Sequence, residues 1–187
     1  MGMTRLETER LILRTPTLPD APATYKYLAH ENVVRYLATV PWPYLDGAAE
    51  KYLGGTVLPG IENGTILAWA LTIKEQGDEM VGFIDIQAHD DKPTWGSRGF
   101  WLAEKFWEKG YMREATEAVN EHVFIDLEIE GFEARNAVAN TASGKLKANA
   151  VGRLIEVVNE DTVLAKNVPT EVWEIHRDDW LEAQAQR

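Results

Sequence analysis

Residues 98–120, RGFWLAEKFWEKGYMREATEAVN, constrain the fold more than any other part of the chain. They open on a short apolar run, Gly99-Phe100-Trp101-Leu102-Ala103, whose length and aromatic content predict a buried strand. A polar connection over residues 104–109 ends at Gly110. Beyond it Ala115, Ala118, Val119 and His122 recur at helical spacing, with Glu114, Glu117 and Glu121 mostly on the other side. Strand, glycine turn, helix is an order that points unpaired backbone N–H groups outward at the helix N-terminus. Orphan donors and the helix dipole together favour a phosphate or pyrophosphate there. Gly110 tolerates a positive φ and lets a ligand come close to the backbone. A plain turn before a surface helix would need the same glycine, so the rest of the chain has to decide.

Upstream, residues 6–14 read as a first strand, and Pro19-Asp20 opens a helix to about residue 29 with Ala23, Tyr27 and Leu28 as its stripe. Residues 32–37 form a second short helical piece. Residues 39–46, TVPWPYLD, carry prolines on both sides of Trp42 and must be irregular. Asp46 is placed to cap a helix over 47–57 that ends near Pro59-Gly60. Residues 66–74 and 80–87 are the clearest strand pair, joined by the polar, glycine-bearing turn 75–79. A loop over 89–96 leads into the central stretch. Downstream come a strand over 132–139, the segment Asn140-Thr141-Ala142-Ser143, a short helix over 145–149, strands over 153–158 and 170–176, and a last helix over 178–185. There is no repeat, low-complexity tract or linker. The order is neither strict βαβ alternation nor all-antiparallel, so the expected class is α+β with a mixed sheet, in one domain over residues 1–187.

The chain is long enough for a real core, and 45% hydrophobic residues make it globular. No apolar run approaches the ~20 residues that span a bilayer. Arg5, Glu7, Glu9 and Arg10 speak against a secretory signal, and a cytoplasmic protein without membrane association is expected. Without cysteine there is no thiolate nucleophile. His30, His89, His122 and His176 lack metal-ligand spacing, so no metal is expected. The 19 Lys and Arg against 30 Asp and Glu leave a net charge of −11, which argues against a nucleic-acid partner. The same field favours cationic substrates and serves solubility equally well.

The run Trp107-Glu108-Lys109-Gly110-Tyr111-Met112-Arg113-Glu114-Ala115 resembles the acetyl-CoA pyrophosphate loop of the GNAT-type N-acetyltransferases, in their RimJ/RimL-like branch. Asn140-Thr141-Ala142-Ser143 resembles the family's second signature, one helix and one strand further on. The order of elements over nearly the whole chain is similar too. The resemblance implies a GNAT-like fold, with a mixed, mostly antiparallel central sheet flanked by helices. It implies acetyl-CoA as acetyl donor, held by Trp101, Leu102, Ala103, Trp107, Glu108, Lys109, Gly110, Tyr111, Met112, Arg113, Asn140 and Ser143. The branch commonly has glycine where Glu108 stands, and a carboxylate beside a pyrophosphate is unfavourable unless it faces solvent. The family's glycine near Val151 is displaced to Gly152.

By the same resemblance Trp42 and Tyr44 are candidate acceptor walls, or else aromatic plugs under a loop. Ser143 could protonate the departing thiolate, or with Asn140 simply end a strand and cap a helix. Lys147, four residues beyond Ser143, is expected to be solvated, the alternative being a contact with a CoA phosphate. No general base is evident, because Ser97 and Arg98 stand where many members have a carboxylate. Asp85 is the remaining candidate, between apolar strand residues, and a solvated face is the alternative for it. The expected activity is direct transfer of an acetyl group to a primary amine, on a protein N-terminus or a small molecule, in a ternary complex. The competing reading is a non-catalytic CoA-binding or regulatory module of the same fold. A homodimer is compatible with either. A Walker-type phosphate binder is not, since no lysine-serine pair follows Gly110.

Overall fold

The computed structural model describes residues 4–89 and 94–186. Eight strands form one sheet: β1 (Leu6–Glu7), β2 (Leu11–Arg14), β3 (Ile66–Ile73), β4 (Gly82–Ala88), β5 (Trp95–Leu102), β6 (Gly131–Ala137), β7 (Arg153–Glu160) and β8 (Val168–His176), in the spatial order β1-β2-β3-β4-β5-β6-β8-β7. Every neighbouring pair is antiparallel except β5 and β6. The α+β expectation holds, with the mixed sheet mostly antiparallel. Seven α-helices flank it among the described residues: α1 (Ala21–Leu28), α2 (Glu31–Val34), α3 (Ala48–Tyr52), α4 (Leu58–Asn63), α5 (Tyr111–Glu121), α6 (Thr141–Asn149) and α7 (Arg177–Ala185). No helix among the described residues is long and apolar enough to cross a membrane.

Strand periodicity sorts β4 and β5 into two faces. Their register pairs Phe83 with Trp101 and Asp85 with Gly99 on one face, and Ile84 with Phe100 and Ile86 with Arg98 on the other. The first face meets α3, where Tyr52 packs edge-on against Phe83 at 6.2 Å. The second meets α5, whose buried side is Met112, Ala115, Thr116, Val119 and Asn120. The apolar core continues past α5 through Phe124, stacked on Phe132 at 5.4 Å and packed on Trp180 of α7 at 5.6 Å. Burial of side chains of this size stabilises by about 1.5–3 kcal/mol each.

Several expectations need correction. The first strand is two pieces, β1 and β2, broken at residues 8–10. The helix expected over 47–57 does not stop near Pro59-Gly60. A wide turn over Leu53–Val57 carries it into α4, with Pro59 in the first turn of α4. Asp46 does not cap α3; Gly47 takes that place at φ 79°. Of the loop expected over 89–96, residues 90–93 lie outside the described residues, and Trp95 and Gly96 already belong to β5.

The parallel pairing of β5 with β6 runs only from Trp95↔Gly131 to Arg98↔Ala134. Beyond that point residues 99–102 of β5 pair only with β4, and residues 135–137 of β6 only with β8. The sheet therefore opens into a wedge between β5 and β6.

Candidate active site

A cavity of about 610 Å³ lies over this wedge. Its walls come from the connection between α2 and α3, from β4 and β5, and from the ends of β6, α6 and β7. Tyr44, Tyr52, Phe83 and Trp101 form an aromatic side. Tyr44 is buried, burial pushes its pKa up to about 12, and its hydroxyl has no hydrogen-bond partner. Trp42, the other expected wall, is 39% exposed and stands outside the lining. Charges of both signs line the rest: Asp85, Glu133, Glu160 and Asp161 against Lys51, Arg98 and Arg135, with Arg135 paired to Glu133 and Glu160. Sequence reading missed Glu133, Glu160, Asp161 and Tyr52, because β6, β7 and α3 reach the cavity only through the folded topology.

Asp85 is buried at 5% exposure, not on a solvated face. Gly99 makes this possible, since a Cβ there would stand 2.7 Å from Asp85 Oδ1. Gln87 Nε2 donates to Asp85 Oδ2 at 2.8 Å, and the Gly99 backbone N–H donates as well. Burial outweighs these bonds and raises the carboxyl's pKa above its ordinary value.

The loop 107–110 is built and pinned. Glu108 has φ 60° and Gly110 φ 80°, both in the left-handed region. The glycine found in the resembling branch at position 108 thus suits the backbone, and this chain forces a side chain through the same turn. Arg10 ties the loop to β2: its Nη1 donates to the Lys109 carbonyl at 2.9 Å and its Nε to Glu114 Oε2 at 2.6 Å. Glu114 Oε1 also accepts from the Arg10 backbone at 2.8 Å and from the Thr8 hydroxyl. Burial pushes the Glu114 carboxyl up, but these bonds outweigh it and hold it below the ordinary carboxylate range. No local signal in the sequence connects Arg10 with Glu114.

The side chains of the expected CoA loop are mostly engaged. Met112 is buried, Tyr111 packs on Phe106 and under the Arg10 guanidinium, and Lys109 Nζ donates to the Lys105 carbonyl. Arg113 pairs with Glu117, and Trp107 Nε1 donates to the Leu102 carbonyl at 2.7 Å. What remains open to a ligand is backbone: no side chain caps α5, so its first N–H groups are unspent. Trp101, Leu102 and Ala103 are buried along the wedge edge.

Asn140 caps α6, its side chain accepting from the Ser143 backbone N–H at 3.3 Å, and both residues line the cavity. Ser143 is buried, and Lys147 Nζ donates to its Oγ at 2.7 Å. Lys147 corrects the sequence reading outright: it is fully buried rather than solvated. Arg98, also on the cavity lining, is buried with Nη1 on Asn120 Oδ1 at 2.9 Å and its guanidinium 4.4 Å from the Phe132 ring.

An edge wedge, an uncapped helix beside it and a polar, aromatic cavity together make up this candidate site. The chain matches the family model for the acetyltransferase (GNAT) domain over residues 10–150. It is 28% identical over 146 residues to a protein named "Uncharacterized N-acetyltransferase p20" from Bacillus licheniformis, spanning 77% of this chain and 79% of that one. Its fold is similar to the ribosomal-protein-S5-alanine acetyltransferase from Vibrio fischeri, with a TM-score of 0.81, 14% identity, and coverage of 95% and 98% of the two chains. It is similar as well to RimL, the ribosomal L7/L12 alpha-N-protein acetyltransferase, in complex with coenzyme A, with a TM-score of 0.80, 18% identity, and coverage of 94% and 99%. The chain belongs to the GNAT acetyltransferase family.

Proposed function

We propose that residues 1–187 act as one acetyltransferase domain that moves the acetyl group of acetyl-CoA directly to a primary amine. The wedge between β5 and β6, beside the uncapped N-terminus of α5, carries this reading. The pantetheine arm would lie along the wedge edge formed by Trp101, Leu102 and Ala103. The backbone at Gly110, Tyr111, Met112 and Arg113 would receive the pyrophosphate. Asn140 would bond the arm, Ser143 would protonate the leaving thiolate, and Asp85 would take the proton of the attacking amine, directly or through water. With no cysteine in the chain, the rate comes from holding both substrates together rather than from an acyl-enzyme. A cavity of about 610 Å³ with Asp85 on its lining suits a small amine or the first residues of a peptide N-terminus.

A panel of amines and peptide N-termini, assayed with acetyl-CoA for release of free thiol, tests the activity. Turnover with at least one acceptor is expected, with intersecting double-reciprocal plots. Parallel plots with a chemically competent acetyl-protein would overturn direct transfer. CoA binding without turnover of any acceptor would favour a CoA-binding module. The loop is tested by Gly110→Val, which is expected to abolish CoA binding in calorimetry while the protein stays folded. A branched residue there resists φ 80° and fills the space beside the backbone.

A further inference from the structure

Two cations lie buried behind the wedge. Arg98 has Asn120 as its hydrogen-bond partner, and its Nε and Nη2 have none. Lys147 is fully buried, with its Nζ on Ser143 Oγ and 5.5 Å from the Phe100 ring. The charged groups acting on Lys147 are Arg98 of β5 and, more weakly, Glu171 of β8, whose carboxylate is already engaged by Asn136 and Trp173. Two buried neighbouring cations repel, so the more easily discharged one gives way. Arg98 keeps its proton, since burial lowers its pKa only to about 9. Lys147 yields: burial first, then Arg98, bring it down to about 7, against the weaker pull of Glu171.

The direction of the Lys147–Ser143 bond gives this a use. An ammonium can only donate, so Ser143 Oγ must accept from it and its own hydrogen is free for the cavity. Resting on the acetyltransferase reading above, we infer that Lys147 is a positioning residue that works through Ser143, restoring from behind the proton that the hydroxyl gives to the departing CoA thiolate. The amine nitrogen bonds to the acyl carbon, the carbon–sulfur bond breaks, and sulfur keeps the electron pair. Ser143 Oγ passes its hydrogen to sulfur and takes one from the Lys147 ammonium. The proton lost by the amine leaves through Asp85 or water, and solvent recharges Lys147 after product departs.

The test has two readouts. In ligand-free protein labelled at lysine Cε, NMR titration is expected to show one lysine with a midpoint at about 7, missing in Lys147→Met and shifted upward in Arg98→Met. In steady-state kinetics with a weakly basic acceptor amine whose own pKa lies below that midpoint, turnover of the wild type is expected to fall as pH rises above it. Lys147→Met should lose that falling limb and about 10- to 100-fold in turnover near neutrality, with CoA affinity unchanged. Arg98→Met should move the limb to higher pH, which loss of packing alone would not do. All lysines titrating at ordinary values, or a Lys147→Met enzyme with the wild-type profile, would overturn the relay while leaving acetyl transfer standing. A wild type inactive towards every amine would overturn acetyl transfer, and the relay's role with it, even if the anomalous lysine titrated as expected.

Discussion

The two faces of the β4–β5 pair bury charge of opposite sign, and they do so by different means. On the cavity face Asp85 occupies space vacated by Gly99 and is held by Gln87 and a backbone N–H. On the helix face Arg98 and Lys147 sit among aromatic rings, with Asn120 and Ser143 as partners and the half-buried Glu171 as a weak counter-charge to Lys147. Burial works against the charged form on both sides. It raises the acid and lowers the base, so both groups are drawn towards neutral pH, where proton transfer is most effective.

The faces should therefore respond to pH with opposite sign. Asp85 has a folded-state pKa above the ordinary 3.8. Its contribution to stability is complete below that value and is lost as pH rises through the folded value. Lys147 is depressed from 10.5 to about 7, so its contribution is complete above 10.5 and lost as pH falls through about 7. Asp85→Asn breaks the comparison most severely. The amide keeps the shape and an acceptor for Gly99 but cannot take a proton, so turnover should fall by about 100-fold or more. Thermal unfolding should show the variant more stable than wild type at about pH 8, with the gain vanishing towards pH 3. Unchanged turnover would remove Asp85 from the proton path, and a gain present at low pH would remove the assigned titration.

The sequence made the skeleton of this site legible and hid its charges. The apolar runs of β3, β4 and β5 and the glycine before α5 were readable because periodicity and chain punctuation are local properties. Asp85 could not be separated from a solvated position, because its burial depends on Gly99 across the strand pair. Lys147 lies in GKLKAN, a run with no apolar stripe, and nothing nearby in sequence predicts that its amine turns inward. Arg10 and Glu114 meet across 104 positions, which no motif encodes. The two departures from the resembling family's glycines were visible as departures, but their physical meaning needed the backbone: Glu108 at φ 60° and Val151 at φ 57°.

Val151 sharpens the helix-face side of the comparison. It ends α6 with its N–H on the Ala148 carbonyl at 3.0 Å, while the Gly152 N–H bonds the Lys147 carbonyl at 2.9 Å. That is the paired closing of a helix whose left-handed residue is usually glycine. A β-branched side chain there is strained, by about 1–2 kcal/mol against a non-strained residue. Val151→Gly should relieve it and raise stability by about 1 kcal/mol, after glycine's larger unfolded-state entropy is counted. The denaturant midpoint measures this, with an unchanged slope expected. Since the same turn holds the Lys147 carbonyl, the variant should leave the anomalous lysine titration where it was. A moved titration would mean that Val151 helps to aim the amine.

Glu108→Gly asks the corresponding question at the loop 107–110, the proposed CoA site, and should have the smallest effect. Glu108 shares the left-handed strain of Val151 but is unbranched at Cβ, so the stability gain should be below that of Val151→Gly, at about 0.5 kcal/mol. Its side chain is exposed, so removing the charge near a bound pyrophosphate should tighten CoA only about two- to threefold, the range of a solvent-screened charge. The two contributions separate by salt. The affinity gain should shrink as ionic strength rises through a Debye length of about 10 Å, whereas relief of backbone strain should not. Calorimetric titration of CoA at low and high salt, beside a denaturant melt, resolves both. A gain in affinity that survives high salt would mean that the side chain obstructs the loop sterically. A clear loss would mean that the Glu108 side chain holds the turn in its binding shape, and that forcing it through the left-handed region has a use at this end of the wedge that Val151 does not have at the other.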